Sequence, residues 1–155
     1  MNHVGDGVCN CGETSLDSPD CITYHITLRE GWNLVSIPYK SISRVETETC
    51  GEEKLPFYYW NNSIRRWNEV RGVKNLKYGE AYWVNPQWHL GKEFMQSFAC
   101  DINISAGNKI SVSDLPNLTA GYNQIGAVGD PLVFPTGDCQ IKIGPLYWDA
   151  PTQKW

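Results

Sequence analysis

The sequence predicts an all-β fold. It reads as a sandwich or barrel-like unit of two pseudo-symmetric repeats, preceded by a loop-rich segment that carries cysteines and acids. Three observations predict this. Short runs of β-branched and aromatic residues are separated by Gly, Pro, Asn and Asp, the composition of pleated strands and their turns. No window of about 12 residues carries a helical period. The phrase LREGWNLVSIP at 28–38 is echoed as LTAGYNQIGA at 118–127. At 155 residues the chain is long enough for one good core or two small ones.

The elements follow in order. ITYHITL at 22–28 alternates loosely, and NLVSIP at 33–38 ends at a proline. FYYW at 57–60 and IRRWNEV at 64–70 read as a hairpin turning at Asn61-Asn62. AYWV at 81–84 and IKIGPLYW at 141–148 read as further strands. Trp32, Trp60 and Trp83 recur at frame positions and are expected to fill the core, since each buried aromatic removes about 150–250 Å² from water. Trp88, outside the frame beside Pro86 and His89, is the ring expected at the surface.

The repeat has a definite frame. Gly31-Trp32-Asn33 aligns with Gly121-Tyr122-Asn123, and Leu28 with Leu118. With two small gaps, Cys50 aligns with Cys139, Tyr59-Trp60 with Tyr147-Trp148, and Trp67 with Trp155. Residues 1–21 form the cysteine-rich acidic segment, and 22–155 the duplicated β domain. Repeat A covers about 28–90 and repeat B about 118–155. Repeat B is incomplete, having no counterpart of LKYGEAYWV at 76–84. An absent strand leaves an edge of unpaired N–H and C=O groups, to which a strand from another subunit could add.

Charge and hydropathy narrow the partners. The net charge is −4, and the 13 Lys and Arg are scattered, with Arg65-Arg66 the longest basic run. That pattern weighs against nucleic acid, which needs a concentrated positive field. No run approaches the roughly 18 apolar residues of a membrane helix, which weighs against membrane insertion. The start, MNHVGDGVCN, lacks the basic and apolar regions of a signal peptide.

Six cysteines, Cys9, Cys11, Cys21, Cys50, Cys100 and Cys139, are an even set in a loop-rich chain. They predict disulfides and an oxidising, extracellular or cell-surface location. Cys50 and Cys139 could join across the repeats, or each could pair locally, one of them with Cys100. The rival is zinc on Cys9, Cys11, Cys21 and His25, but that spacing matches no common zinc module. Sequons at Asn61, Asn103 and Asn117 are candidate N-glycosylation sites and fit export.

Residues 5–21 gather hard oxygen ligands on a glycine-allowed loop: Asp6, Asn10, Glu13, Asp17 and Asp20. That is the ligand type Ca²⁺ takes, so Ca²⁺ is the one cofactor expected. Catalytic signatures are absent from the sequence: it contains no G-x-S-x-G, H-E-x-x-H or phosphate loop, and only three histidines, His3, His25 and His89. Adjacent acids such as Glu52-Glu53 read as a solvated face. The expectation is therefore a protein that is not an enzyme. Seven Trp and eight Tyr suggest a glycan platform instead, with Trp60, Trp67, Trp88 and Trp148 as candidate rings.

Repeat A resembles a β repeat of exported bacterial and archaeal surface proteins. The resemblance rests on Gly31 to Pro38 (GWNLVSIP), on Tyr59 to Trp67, and on Leu76 to Val84. Repeat B matches loosely, with Tyr122 for Trp and Gln124 for Leu. Residues 5–21 resemble the small GDG-x-C modules of secreted prokaryotic proteins through Asp6, Cys9, Glu13, Asp20 and Cys21, although Val4 replaces a cysteine there. The resemblances imply secretion, β architecture, calcium and a place in a larger surface protein. The function expected is a non-enzymatic structural or adhesive module of a surface protein or filament, whose partners are further copies of itself or neighbouring domains. A carbohydrate-binding module is the alternative, and a secreted enzyme or inhibitor with an unrecognised site is the second.

Overall fold

The computed structural model describes residues 21–47, 50–51, 54–97, 99–117, 123–126 and 152–154. Among them are seven strands: β1 (Ile22–Leu28), β2 (Asn33–Ser36), β3 (Tyr39–Thr47), β4 (Pro56–Asn61), β5 (Arg66–Arg71), β6 (Ala81–Val84) and β7 (Cys100–Lys109). Two short helices, α1 (Gln87–Leu90) and α2 (Lys92–Ser97), lie between β6 and β7. The strands form two antiparallel sheets, one ordered β1-β7-β3 and the other β2-β6-β4-β5. The fold is all-β and sandwich-like, as expected. The strand expected at 141–148, most of repeat B and the acidic segment lie outside the described residues.

The core lies between the sheets. From the three-stranded sheet come Ile26 and Leu28 of β1 with Cys100, Ile102, Ile104 and Ala106 of β7. From the four-stranded sheet come Phe57 of β4 with Tyr82 and Val84 of β6. Strand alternation explains the choice, since β7 buries every second residue from Cys100 to Ala106. Tyr24 of β1 ties the layers together at one margin, its hydroxyl donating to the Ser36 carbonyl of β2 at 3.3 Å.

β3 breaks the alternation. Its register against β7 shifts between Ile42 and Arg44, which leaves Ser43 bulged. The bulge lets both Ile42 and Val45 pack on the core although they are an odd number of residues apart. The inward Ser43 hydroxyl donates to the Ser105 carbonyl at 3.2 Å, so the buried group is satisfied.

Cys50 and Cys100 form a disulfide, with Cα atoms 5.5 Å apart. The bond joins the segment after β3 to the first residue of β7 and is buried at both ends. Of the pairings left open above, this is the local one. Cys21 is also disulfide-bonded, so its sulfur is not available as the thiolate a zinc site needs. Cys9, Cys11 and Cys139 lie outside the described residues.

Candidate functional site: an aromatic sheet face

The outer faces of the two sheets differ in chemistry. On the three-stranded sheet, alternation points His25, Thr27, Asp101, Asn103, Arg44 and Glu46 away from the core. This face is polar and ionic. His25 Nδ1 lies 2.6 Å from Asn103 Oδ1, and its Nε2 lies 2.9 Å from Thr27 Oγ1 and 3.3 Å from Asp101 Oδ1. The Thr27 hydroxyl donates to Asp101 at 2.7 Å. The group contains a hydroxyl, an imidazole and a carboxylate, but the hydroxyl is directed at the acid. His25 and Asp101 are 52% and 42% exposed, so solvent reaches both. The set behaves as a solvated cross-strand network.

The outer face of the four-stranded sheet is aromatic. Register places Leu34 of β2, Trp83 of β6 and Tyr58 of β4 in one row, and Trp60 of β4 beside Trp67 of β5. Trp32 precedes β2 and meets three rings edge-on: Tyr58 at 6.4 Å, Trp83 at 6.2 Å and Trp88 at 4.6 Å between centroids. Trp60 and Trp67 form a second edge-on pair at 5.5 Å. T-shaped packing is the favoured geometry for such rings.

This corrects the core assignment of Trp32, Trp60 and Trp83. None belongs to the core, and all three are half-buried on the outer face. Their neighbours Tyr59 and Tyr82 face the interior instead, 5.5 Å apart. In a run such as AYWV or YYW, alternation sends successive aromatics to opposite sides. Trp88, the ring expected at the surface, is 68% exposed, and Trp67 is 52% exposed. Trp148 lies outside the described residues.

Two side chains fix the Trp32 turn. Asn33 is 3% exposed, and its amide accepts from the Arg29 N–H at 2.9 Å while donating to the carbonyls of Arg29 and Gly31. It closes the β1–β2 turn from inside, which accounts for Asn in the Gly-Trp-Asn phrase. Gln153 clamps the turn from outside. Its Oε1 accepts from the Trp32 N–H at 2.8 Å, and its Nε2 donates to the Trp32 carbonyl at 2.9 Å. Gly31 has φ +83°, a left-handed conformation that glycine adopts without strain. The Gly31 N–H donates to Gln87 Oε1 of α1 at 3.1 Å.

Residues of repeat B also reach the start of β6. Gln124 Nε2 donates to the Ala81 carbonyl at 2.6 Å, and the Gly126 N–H donates to the Gly79 carbonyl at 2.9 Å. A Cβ on Gly126 would lie 2.6 Å from the Glu80 carbonyl oxygen. Among the described residues, three buried polar atoms around this sheet lack a partner: Trp60 Nε1, Asn85 Oδ1 and Gln124 Oε1.

The remaining candidates separate by position. Asn61 ends β4, and its Oδ1 accepts from the Ser63 N–H at 3.1 Å, starting the four-residue turn 62–65 that replaces the two-residue one expected. Asn103 lies within central β7, held by His25, and Asn117 is exposed. The candidate calcium ligands Asp6, Asn10, Glu13, Asp17 and Asp20 lie outside the described residues. Among the described residues no three His, Cys, Asp or Glu side chains gather as a metal site. Among them, too, no helix is long and apolar enough to cross a membrane.

A scan against family models finds no match, and searches of curated proteins and of solved structures find none either.

Proposed function

We propose that this chain is a non-enzymatic structural or adhesive module of an extracellular surface protein or filament. The single observation that carries the reading is the asymmetry of the sandwich. One outer face is solvated and ionic, while the other presents Trp32, Leu34, Tyr58, Trp60, Trp67, Trp83 and Trp88. Exposed aromatic patches of this kind are typical of contact surfaces. The Cys50–Cys100 disulfide fits an oxidising compartment and stiffens the scaffold behind that face. Among the described residues, β2 and β5 are the edges of the aromatic sheet, where strands of further copies or neighbouring domains could add. Calcium would belong to residues 5–21 and stiffen the joint to a neighbour.

The test is light scattering of the purified chain across concentration, with and without Ca²⁺. Mass that rises with concentration, and that falls in Trp67→Glu, is the expected result. A strict monomer over the whole range would sink the assembling form of the proposal.

A further inference from the structure

The β4–β5 hairpin ends in a tip whose side chains the sandwich does not use. In the register set by the Tyr58–Trp83 bridge, Ala81 at the start of β6 stands opposite Trp60. The turn 62–65 therefore runs past the end of its neighbouring strand. Residues 63–67 are exposed one after another, with Ile64 at 55% and Trp67 at 52%. Behind the turn, Trp60 and Trp67 brace the stem as an edge-on cross-strand pair at 5.5 Å.

The two arginines of the tip differ from others on the sheets. Arg44 and Arg71 are each held by a glutamate, at 2.8 and 2.7 Å. Among the described residues, the side chains of Arg65 and Arg66 meet no carboxylate. Arg65 also has φ 50°, a left-handed conformation that Asn or Gly enters at lower cost than Arg. The turn itself thus does not call for Arg at this place, and its charge is directed to solvent. Outliers of this kind are where a fold retains a residue for contact and not for stability. The net charge of −4 does not cancel the pair, because salt at about 0.1 M confines charges to a reach of about 10 Å.

We propose that the β4–β5 hairpin tip docks the module on an anionic phospholipid bilayer, with Ile64 entering the acyl boundary and Arg65 and Arg66 binding lipid phosphates. A bilayer meets every exposed group of the tip at once. Its acyl boundary takes an apolar side chain of any shape, its phosphates take guanidinium forks, and its interface is where tryptophans such as Trp67 settle. An acidic polysaccharide would pair the arginines but leave Ile64 in water. The contact is peripheral, and no strand crosses the bilayer. It does not depend on the self-association proposed above.

The experiment is co-sedimentation of the full chain with vesicles of equimolar phosphatidylglycerol and phosphatidylcholine, and with vesicles of phosphatidylcholine alone. Soluble polygalacturonate serves as the acidic polymer for comparison. Binding to the anionic vesicles is expected, with a blue shift of tryptophan emission, and it should weaken at high salt. Arg65→Asn and Arg66→Gln should each weaken it about fivefold. Arg65→Asn should do so without lowering the thermal transition, since Asn accepts the left-handed turn. Ile64→Ser should weaken vesicle binding several-fold and leave polygalacturonate unaffected. All three positions are exposed, so the variants are expected to fold. Absence of binding to the anionic vesicles, or binding indifferent to both arginines, would overturn the inference. Polygalacturonate binding lost with the arginines, with Ile64→Ser silent on vesicles, would assign the tip to an acidic polymer and overturn it too. Either failure leaves the assembly reading intact, because light scattering reads that without lipid. Vesicle binding by a strict monomer would support the inference and remove only self-assembly.

Discussion

Tyr82 shows how a single residue carries several constraints. It is almost wholly buried, its hydroxyl donates to Glu80 Oε2 at 2.6 Å, and it accepts from the Lys77 N–H at 3.0 Å. Burial, and then the bond to Glu80, push its phenol well above the ordinary tyrosine value. The native state thus holds this proton more tightly than the unfolded chain, whose phenol titrates near about pH 10. The stabilisation is complete below about pH 10 and is lost as pH rises through the folded-state value. Tyr82→Phe should cost about 1–3 kcal/mol at neutral pH, because it leaves the Lys77 N–H unpaired. It should also flatten the loss of stability that sets in above about pH 10. Denaturant titrations at several pH values check both, and an alkaline limb as steep as that of the unaltered protein would contradict the assignment. The sequence marks Tyr82 only as one aromatic in AYWV. Which of its two aromatics faces inward depends on which side of the strand the second sheet packs.

At the scale of elements, the strands that the sequence announces are those with dense aromatic or β-branched runs. Ile22–Leu28 and Ala81–Val84 appear with the bounds expected, and Pro56–Asn61 lies within one residue of them. β3 is illegible for a physical reason. Its bulge puts Ile42 and Val45 on one face at a spacing of three, which no period-two pattern contains. β7 carries a readable alternation in Ile102, Ile104 and Ala106, but Asp, Asn and Ser on the solvated face make the segment look like a loop. The contact between Gln153 and the Gly31-Trp32 turn joins segments 121 residues apart, and it has a testable strength. Gln153→Ala should cost about 1–2 kcal/mol, with faster hydrogen exchange at the Trp32 amide. Unchanged exchange there would mean the clamp contributes nothing. Gln153 also has φ 52°, and Arg65, at the matching place two residues before Trp in the repeat frame, has φ 50°.

Across the whole molecule, the Cys50–Cys100 bond closes a loop of 50 residues in sequence separation that contains β4, β5, β6 and both helices. Constraining so long a loop in the unfolded chain contributes roughly 2–5 kcal/mol. Cys50→Ala combined with Cys100→Ala should lower stability by about that much, leaving two small cavities in the core. Equilibrium denaturation of the double variant measures it, and a loss below about 1 kcal/mol would show that the sheets hold this loop without the bond. The sequence by itself determined the all-β class, several strand positions, the presence of disulfides and the surface position of Trp88. Each of these follows from local composition, spacing or redox chemistry. Only the tertiary structure decided that Cys50 pairs with Cys100, that β7 lies central in its sheet, and that Trp32, Trp60 and Trp83 leave the core to form an outer face. The reason is common to all three. A strand offers two faces and a cysteine several partners, and the choice is made by what packs against them from far along the chain.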